Sequence, residues 1–283
     1  MNDLKLSDLY QRLRQASHDP QPLLRPLDLH IGLFLAELDP DQSPALLLAA
    51  SLTSAAVASG HVCLPLQVLC EHLLAENAGL SDSGQWASRL RQSGVVGSPG
   101  EFAPLILDPD QRLYLFRYYR YETRIADSLL LRAKIQFKPD LEIARQQLAE
   151  LADNGHLDTN QQTAAALALL KGLVLISGGP GTGKTHTLAY TLALIQSLQR
   201  HAGKAPLRIA LAAPTGKAAA RMKESLRTAR TKMSAHFSQS VPDDAQTLHR
   251  LLGLRPGAED FRYNESNPLH IDMLVVDEAS MID

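Results

Sequence analysis

Apolar and polar positions follow two different rhythms in the two halves of this chain. Up to about residue 150 the apolar positions recur mostly at helical spacing. A run from Leu27 to Leu35 starts just after a proline and stops before Leu38-Asp39-Pro40. The stretch Ser43–Ser59 reads as a buried helix, with Ser43 at the N-cap, Pro44 at the first helical position and Gly60 just past the end. Gly60–Pro65 reads as a short extended piece leading into a helix that includes Val68, Leu69, Cys70, Leu73 and Leu74. Ser81–Gly100 carries Gly84, Gly94, Gly97 and Gly100, so its end reads as loop. Arg112–Leu115 alternates as a strand would. Tyr118–Leu131 returns to helical spacing with arginines along one side.

The texture changes after Asp153-Asn154-Gly155. Short, almost wholly apolar runs at Leu173–Ser177, Arg208–Ala213 and Met273–Val276 now alternate with helical segments at Gln161–Leu170, Thr185–Gln199 and Lys217–Thr231. Strands with few polar residues, separated by helices, predict a parallel sheet covered on both faces. The change places a domain boundary near residues 145–156, giving a mostly α-helical domain over 1–150 and an α/β domain over 151–283.

Composition narrows the classes. Apolar residues make up 45% and charged residues 20%, which excludes a disordered chain. Lys and Arg number 28 against 30 Asp and Glu, so a wholly basic nucleic-acid binder is excluded, and any such site is a local patch. The longest apolar stretch, Pro44–Ser59, is too short for a membrane span and contains Ser51, Thr53, Ser54 and Ser59. Two cysteines make no disulfide framework. The expectation is a soluble, cytoplasmic protein with no membrane partner.

The chemistry concentrates at Gly178-Gly179-Pro180-Gly181-Thr182-Gly183-Lys184-Thr185, which fits G-x-x-x-x-G-K-[ST] without mismatch between an expected strand and an expected helix. Glycines let successive backbone N–H groups point inward at phosphate oxygens, and the helix N-terminus adds partial positive charge. Lys184 would reach the β and γ phosphates, and the Thr185 hydroxyl would ligate Mg²⁺. The fold class is therefore an α/β P-loop (RecA-like) nucleotide-binding domain. Downstream, Asp277 emerges at the end of the run Met273–Val276, placed to hold Mg²⁺. Glu278 follows it, placed to take a proton from an attacking water. The expected ligand is ATP with Mg²⁺, and Lys184 and Glu278 are the candidate catalytic residues.

These motifs, with Ala213–Ala219, Thr247–Gly253 and Asp277-Glu278-Ala279-Ser280, stand in the order seen in superfamily 1 DNA helicases. Their wording resembles the RecD-type alpha subunits of exodeoxyribonuclease V (the RecBCD complex), as do Arg25–Asp28 and Gly60–Pro65 in the first half. The resemblance implies an ATP-driven 5′-to-3′ DNA helicase subunit that acts at DNA ends beside RecB-like and RecC-like subunits in double-strand break repair and recombination. It implies that Gln161 reads adenine, that Pro214, Thr215 and Lys217 touch the DNA backbone, that Thr247 and His249 face DNA, and that the N-terminal domain docks on partners. A stand-alone superfamily 1 helicase, a docking module with an inert P-loop, and a P-loop switch unrelated to DNA remain alternatives.

Local charge adds to the DNA reading. Eight cations (Lys204, Arg208, Lys217, Arg221, Lys223, Arg227, Arg230 and Lys232) face Glu224 alone within the same stretch. His186, in the first turn after the loop, is expected to point away from phosphate. His61, Cys63, Cys70 and His72 lack metal-ligand spacing, so buried thiols are the expectation. Only three of at least five core strands are found before Asp283, so the expectation is a truncated domain, incomplete at its C-terminus and unable to unwind DNA.

Overall fold

The computed structural model describes residues 6–16, 24–71, 82–153, 157–179, 181–239, 241–255 and 261–282. Its contacts divide the chain into two compact units, Met1–Ser128 and Leu129–Asp283. No described helix is long and apolar enough to cross a membrane.

The first unit opens with α1 (Leu6–Ala16), α2 (Pro26–Glu37) and α3 (Pro44–Ala58). These bury Leu9, Leu29, Leu47 and Leu48 in one core with Trp86. Helices α2 and α3 approach closely at Gly32: a Cβ there would lie 2.0 Å from Ser51 Oγ and 2.6 Å from the Leu47 carbonyl oxygen. Ser43 occupies the N-cap of α3 as expected, but its side chain makes no cap hydrogen bond. The start of α2 is held by charge. The fully buried Asp28 accepts from Arg25 Nε at 2.9 Å, from another Arg25 guanidinium nitrogen at 2.7 Å, from Arg25 backbone N–H at 3.0 Å and from Ser54 Oγ at 2.7 Å. Burial alone would raise the Asp28 carboxyl's pKa, but the Arg25 and Ser54 bonds outweigh it and hold the group below the ordinary carboxylate value.

The chain continues through β1 (Leu64–Pro65), α4 (Leu66–Glu71), α5 (Ser83–Arg91), β2 (Val96–Gly97), β3 (Leu105–Leu107) and β4 (Arg112–Leu115). The strands form one small sheet in the order β1-β4-β3-β2, antiparallel except for the β2–β3 pair. The strand at Arg112–Leu115 thus holds, whereas of the extended piece expected over Gly60–Pro65 only Leu64–Pro65 is strand, Gly60 being in a turn with φ +88°. Part of the helix expected over residues 68–74 lies outside the described residues, as do His72 and Asp283.

Helix α6 (Phe116–Lys134) contains the point at which the two units divide. The division falls upstream of the expected 145–156 because α7 (Leu141–Asp153) contributes Leu148 and Leu151 to the second core. The second unit also holds α8 (Thr159–Leu170), α9 (Lys184–His201), β5 (Ile209–Ala213), α10 (Gly216–Lys232) and α11 (Ala235–Ser238). It continues through β6 (Gln246–Thr247), α12 (Leu248–Leu252) and β7 (Met273–Val276), followed by a 3₁₀ turn at Ala279–Met281. Its sheet is parallel, in the order β6-β5-β7.

One expected strand is not among them. Leu173–Ser177 has no strand pairing, and Leu175 is 85% exposed. A doubly apolar run becomes a buried strand only when a neighbouring backbone takes its N–H and C=O groups and layers cover both faces. Among the described residues neither happens. The third strand is instead β6, which the expectation did not include.

Candidate functional site

The phosphate-loop motif lies at the N-terminus of α9, the longest helix of the second unit. Gly181 has φ +77° and Gly183 φ +79°, left-handed values that favour glycine and turn the chain into the helix. The Thr182 hydroxyl donates to the Gly179 carbonyl at 2.9 Å. Lys184 Nζ donates to the carbonyls of Gly178 and Gly179 at 2.8 and 2.9 Å, so the ammonium folds over the loop it belongs to. Thr185 stands half-buried in the first turn of α9. Pro180 lies outside the described residues. The His186 ring lies 4.7 Å from the Tyr190 ring at a 44° tilt, one turn further along α9.

Gln161 joins this loop from α8. Its Nε2 donates to the Thr182 carbonyl at 3.5 Å, and a Cβ on Gly183 would lie 2.8 Å from the same nitrogen. Its other end belongs to a capping box: Asp158 Oδ1 accepts from Gln161 N–H at 2.9 Å, and Gln161 Oε1 accepts from Asp158 N–H at 3.1 Å. Asp158 escaped the sequence reading, although Asp158-Thr159-Asn160-Gln161 carries the D-x-x-Q signature.

The carboxyl-terminal ends of the parallel strands gather the other candidates. Asp277 N–H donates to the Ala212 carbonyl at 3.0 Å, which fixes Asp277 beside the end of β5. Its Oδ1 accepts from Glu278 N–H at 2.9 Å, and Glu278 adopts φ +53° as the chain enters the 3₁₀ turn. On the other side of β5, Thr247 pairs with Ala213, immediately before Pro214 and Thr215. Asp277, Pro214–Lys217 and Thr247 therefore gather at the carboxyl-terminal end of the strands. Among the described residues no hydrogen bond or ion pair joins Lys184 or Thr185 to Asp277 or Glu278. Thr185 at a helix start and Asp277 at a strand end are oxygen donors of the kind Mg²⁺ takes, and would hold it together with phosphate oxygens.

Both threonines of the proposed DNA face are helix caps. Thr215 Oγ1 accepts from Ala218 N–H at 3.2 Å, and Thr247 Oγ1 accepts from Arg250 N–H at 3.2 Å. Lys217 and His249 are exposed, and the His249 ring lies 6.4 Å from Phe261. The basic stretch is less bare than its sequence implies. Arg208 is paired with Asp272 at 2.9 Å, Lys223 with Asp244 at 2.8 Å and Arg230 with Asp243 at 3.0 Å. The Arg208 side chain and backbone bonds pull the Asp272 carboxyl down to about 2. These acids come from distant sequence, so counting charges within the stretch misses them.

In the first unit, burial pushes the Cys63 thiol's pKa upward despite a hydrogen bond with Tyr114. Cys63 and Cys70 are both half-buried free thiols.

Residues 161–283 match the family described as AAA domain, the class to which a phosphate loop at a helix start on a parallel sheet points. Residues 20–114 match the family described as the N-terminal domain of the RecBCD enzyme subunit RecD. RecD of Mycolicibacterium smegmatis is 35% identical over 262 residues, 92% of this chain and 46% of that protein. RecD of Mycobacterium tuberculosis (strain ATCC 25618 / H37Rv) is 37% identical over 259 residues, 90% of this chain and 43% of that protein. The ATP-dependent RecD2 DNA helicase of Deinococcus radiodurans is 40% identical over 125 residues, 44% of this chain and 14% of that protein. The chain resembles the N-terminal part of RecD and spans under half the length of these RecD relatives.

Proposed function

We propose that this chain binds Mg²⁺·ATP through Gly178–Thr185 and serves, within a longer protein, as a 5′-to-3′ DNA helicase subunit of a RecBCD-type exodeoxyribonuclease V in double-strand break repair. The observation that carries the reading is the glycine-shaped loop at the start of α9, where Gly181 at φ +77° and Gly183 at φ +79° turn the chain into Lys184 and Thr185. Lys184 would exchange the Gly178 and Gly179 carbonyls for β and γ phosphate oxygens. Thr185 and Asp277 would hold Mg²⁺, and Glu278 would take a proton from the attacking water. Bound Mg²⁺ would neutralise charge on the β and γ phosphates. Pro214, Thr215, Lys217, Thr247 and His249 form the DNA face, and residues 1–150 dock on RecB-like and RecC-like subunits in the cytoplasm. Unwinding belongs to the longer assembly, since the RecD relatives run to about twice the matched length.

The test is ATP binding and single-strand-stimulated hydrolysis, compared between wild type and Lys184→Ala. Lys184→Ala should remove Mg²⁺·ATP binding and leave the melting temperature unchanged, because the ammonium bonds only to exposed loop carbonyls. A second reading, in which the loop is inert and the chain only docks, is favoured by that same self-engaged lysine. Wild-type protein that binds no ATP at millimolar concentration would decide for it.

A further inference from the structure

We infer that the aromatic groove between the turn at residues 98–102 and helix α6 is a binding track for single-stranded DNA, built within the first unit and separate from the strand-end loops of the second. Naming DNA rests on the helicase reading above; the groove itself offers stacking surfaces and cations to a single strand. It holds about 570 Å³, with Phe102, Phe116 and Tyr119 among its walls and Arg120 beside them. Phe102 is 90% exposed. Its turn is nonetheless firmly built. Glu101 N–H donates to the Ser98 carbonyl at 3.0 Å, Ser98 N–H donates to the Glu101 carboxylate at 2.6 Å, and Gly100 takes φ +93°. Phe116 N–H donates to the Pro104 carbonyl at 3.0 Å, which joins the start of α6 to the far end of the same loop. A large aromatic side chain held in water by a braced turn is buried only when a ligand covers it.

Arginines follow one flank of this groove. At about 100° per residue, Arg117, Arg120 and Arg124 fall within an arc of about 60° on α6, while Glu122 falls on the far side of the helix. All three arginines are exposed. The Arg120 guanidinium lies 5.7 Å from the centre of the Phe116 ring, and that of Arg117 lies 5.3 Å from the centre of the Tyr121 ring. The Tyr121 hydroxyl accepts from Arg117 Nε at 2.8 Å. Phe102 meets Phe116 edge-on, with ring centres 4.9 Å apart at 80°. Among the described residues neither Arg117 nor Arg120 has an acidic partner. Bases stacked on exposed rings, with the backbone along a row of cations, is how proteins hold single strands without reading their sequence. Glu101 and Asp127 also line the groove. They repel phosphates, which sets the backbone on the arginine flank and the bases inside.

The experiment measures binding of labelled oligo(dT), and of a matching abasic oligomer, to the 283-residue chain by fluorescence anisotropy in the absence of nucleotide. Phe102→Ala should weaken oligo(dT) by roughly five- to tenfold, near the lower end of what one lost base stack gives, and leave the abasic oligomer unchanged. That side chain already stands in water, so the variant should fold, and thermal melts check it. Arg117→Ala combined with Arg120→Ala should weaken both oligomers. It should also make the slope of log affinity against log salt shallower by about 1.4, at roughly 0.7 per phosphate. An oligomer carrying iododeoxyuridine should crosslink under light to Phe102, Phe116 or Tyr119.

Crosslinks confined to residues 129–283 overturn the inference, as does a wild-type chain that binds no oligo(dT), or variants that bind it as wild type does. Loss of co-elution of the longer protein with RecB-like and RecC-like subunits in Phe102→Ala, with oligo(dT) binding unchanged, also overturns it and gives the groove to a protein partner. Failure of the helicase reading is seen separately, as wild-type protein that binds no ATP, since none of these measurements contains nucleotide.

Discussion

Asp28 carries more of the first unit's stability than an acidic residue in an apolar helix would suggest. Its carboxylate takes four hydrogen bonds while fully buried, one of them closing the N-terminus of α2. Asp28→Asn should cost about 1–3 kcal/mol, the usual range for a buried hydrogen bond to a charged group. The folded carboxyl's pKa lies below its unfolded value of about 3.9. Its contribution is therefore complete above that pH and is lost as pH falls through the folded value. Urea midpoints of wild type and Asp28→Asn, followed from pH 7 downward, should stay apart to roughly pH 4 and then converge. Gly32 sets a second residue-level constraint. Gly32→Ala places a methyl on Ser51 Oγ and the Leu47 carbonyl and should separate α2 from α3, costing about 1–3 kcal/mol in the same assay.

Helices and strands tell how much was legible in advance. The starts of α2, α3, α9 and α10 and the strands over 209–213 and 273–276 are written in local spacing, as is the loop Gly178–Thr185. The Leu173–Ser177 run satisfies the same spacing rule yet stays outside the sheet, because a strand is defined by its partners and no described strand takes it. Conversely, β6 is too short to show a pattern and exists because Gln246 and Thr247 lie against Ala212 and Ala213. The basic stretch misled for a related reason: Asp243, Asp244 and Asp272 reach it only through the fold. The family resemblance implied that Thr215 touches DNA, but not that its hydroxyl caps α10. Thr215→Ala should lower stability by about 1 kcal/mol, and Thr215→Ser should recover it, as measured by thermal melting. A DNA-binding defect in Thr215→Ala belongs to the hydroxyl's phosphate contact only if it exceeds what that destabilisation explains.

For the whole molecule, the charge pairing bounds how strongly the second unit responds to salt. With three of the eight cations already bound to acids, five remain for phosphates. At roughly −0.7 per neutralised phosphate on a single strand, the slope of log affinity against log salt should be no steeper than about −3.5 from this stretch. A steeper slope for the 283-residue chain, measured by fluorescence anisotropy, would mean that the ion pairs open on binding or that cations elsewhere contribute. The exposed apolar run makes a separate prediction. Leu175→Glu should reduce concentration-dependent association in sedimentation velocity at no cost in stability, since that side chain already stands in water.

The C-terminal end of α6 is tied down just ahead of the glycine-rich loop. Gln136 bridges Lys171, Gly172 donates to the Ile135 carbonyl, and Gly172 leaves no room for a side chain against Ile135 and the Arg132 carbonyl. A tug or twist carried along that helix thus arrives at the root of the segment that holds the glycines, with only a short, unpaired stretch of chain in between.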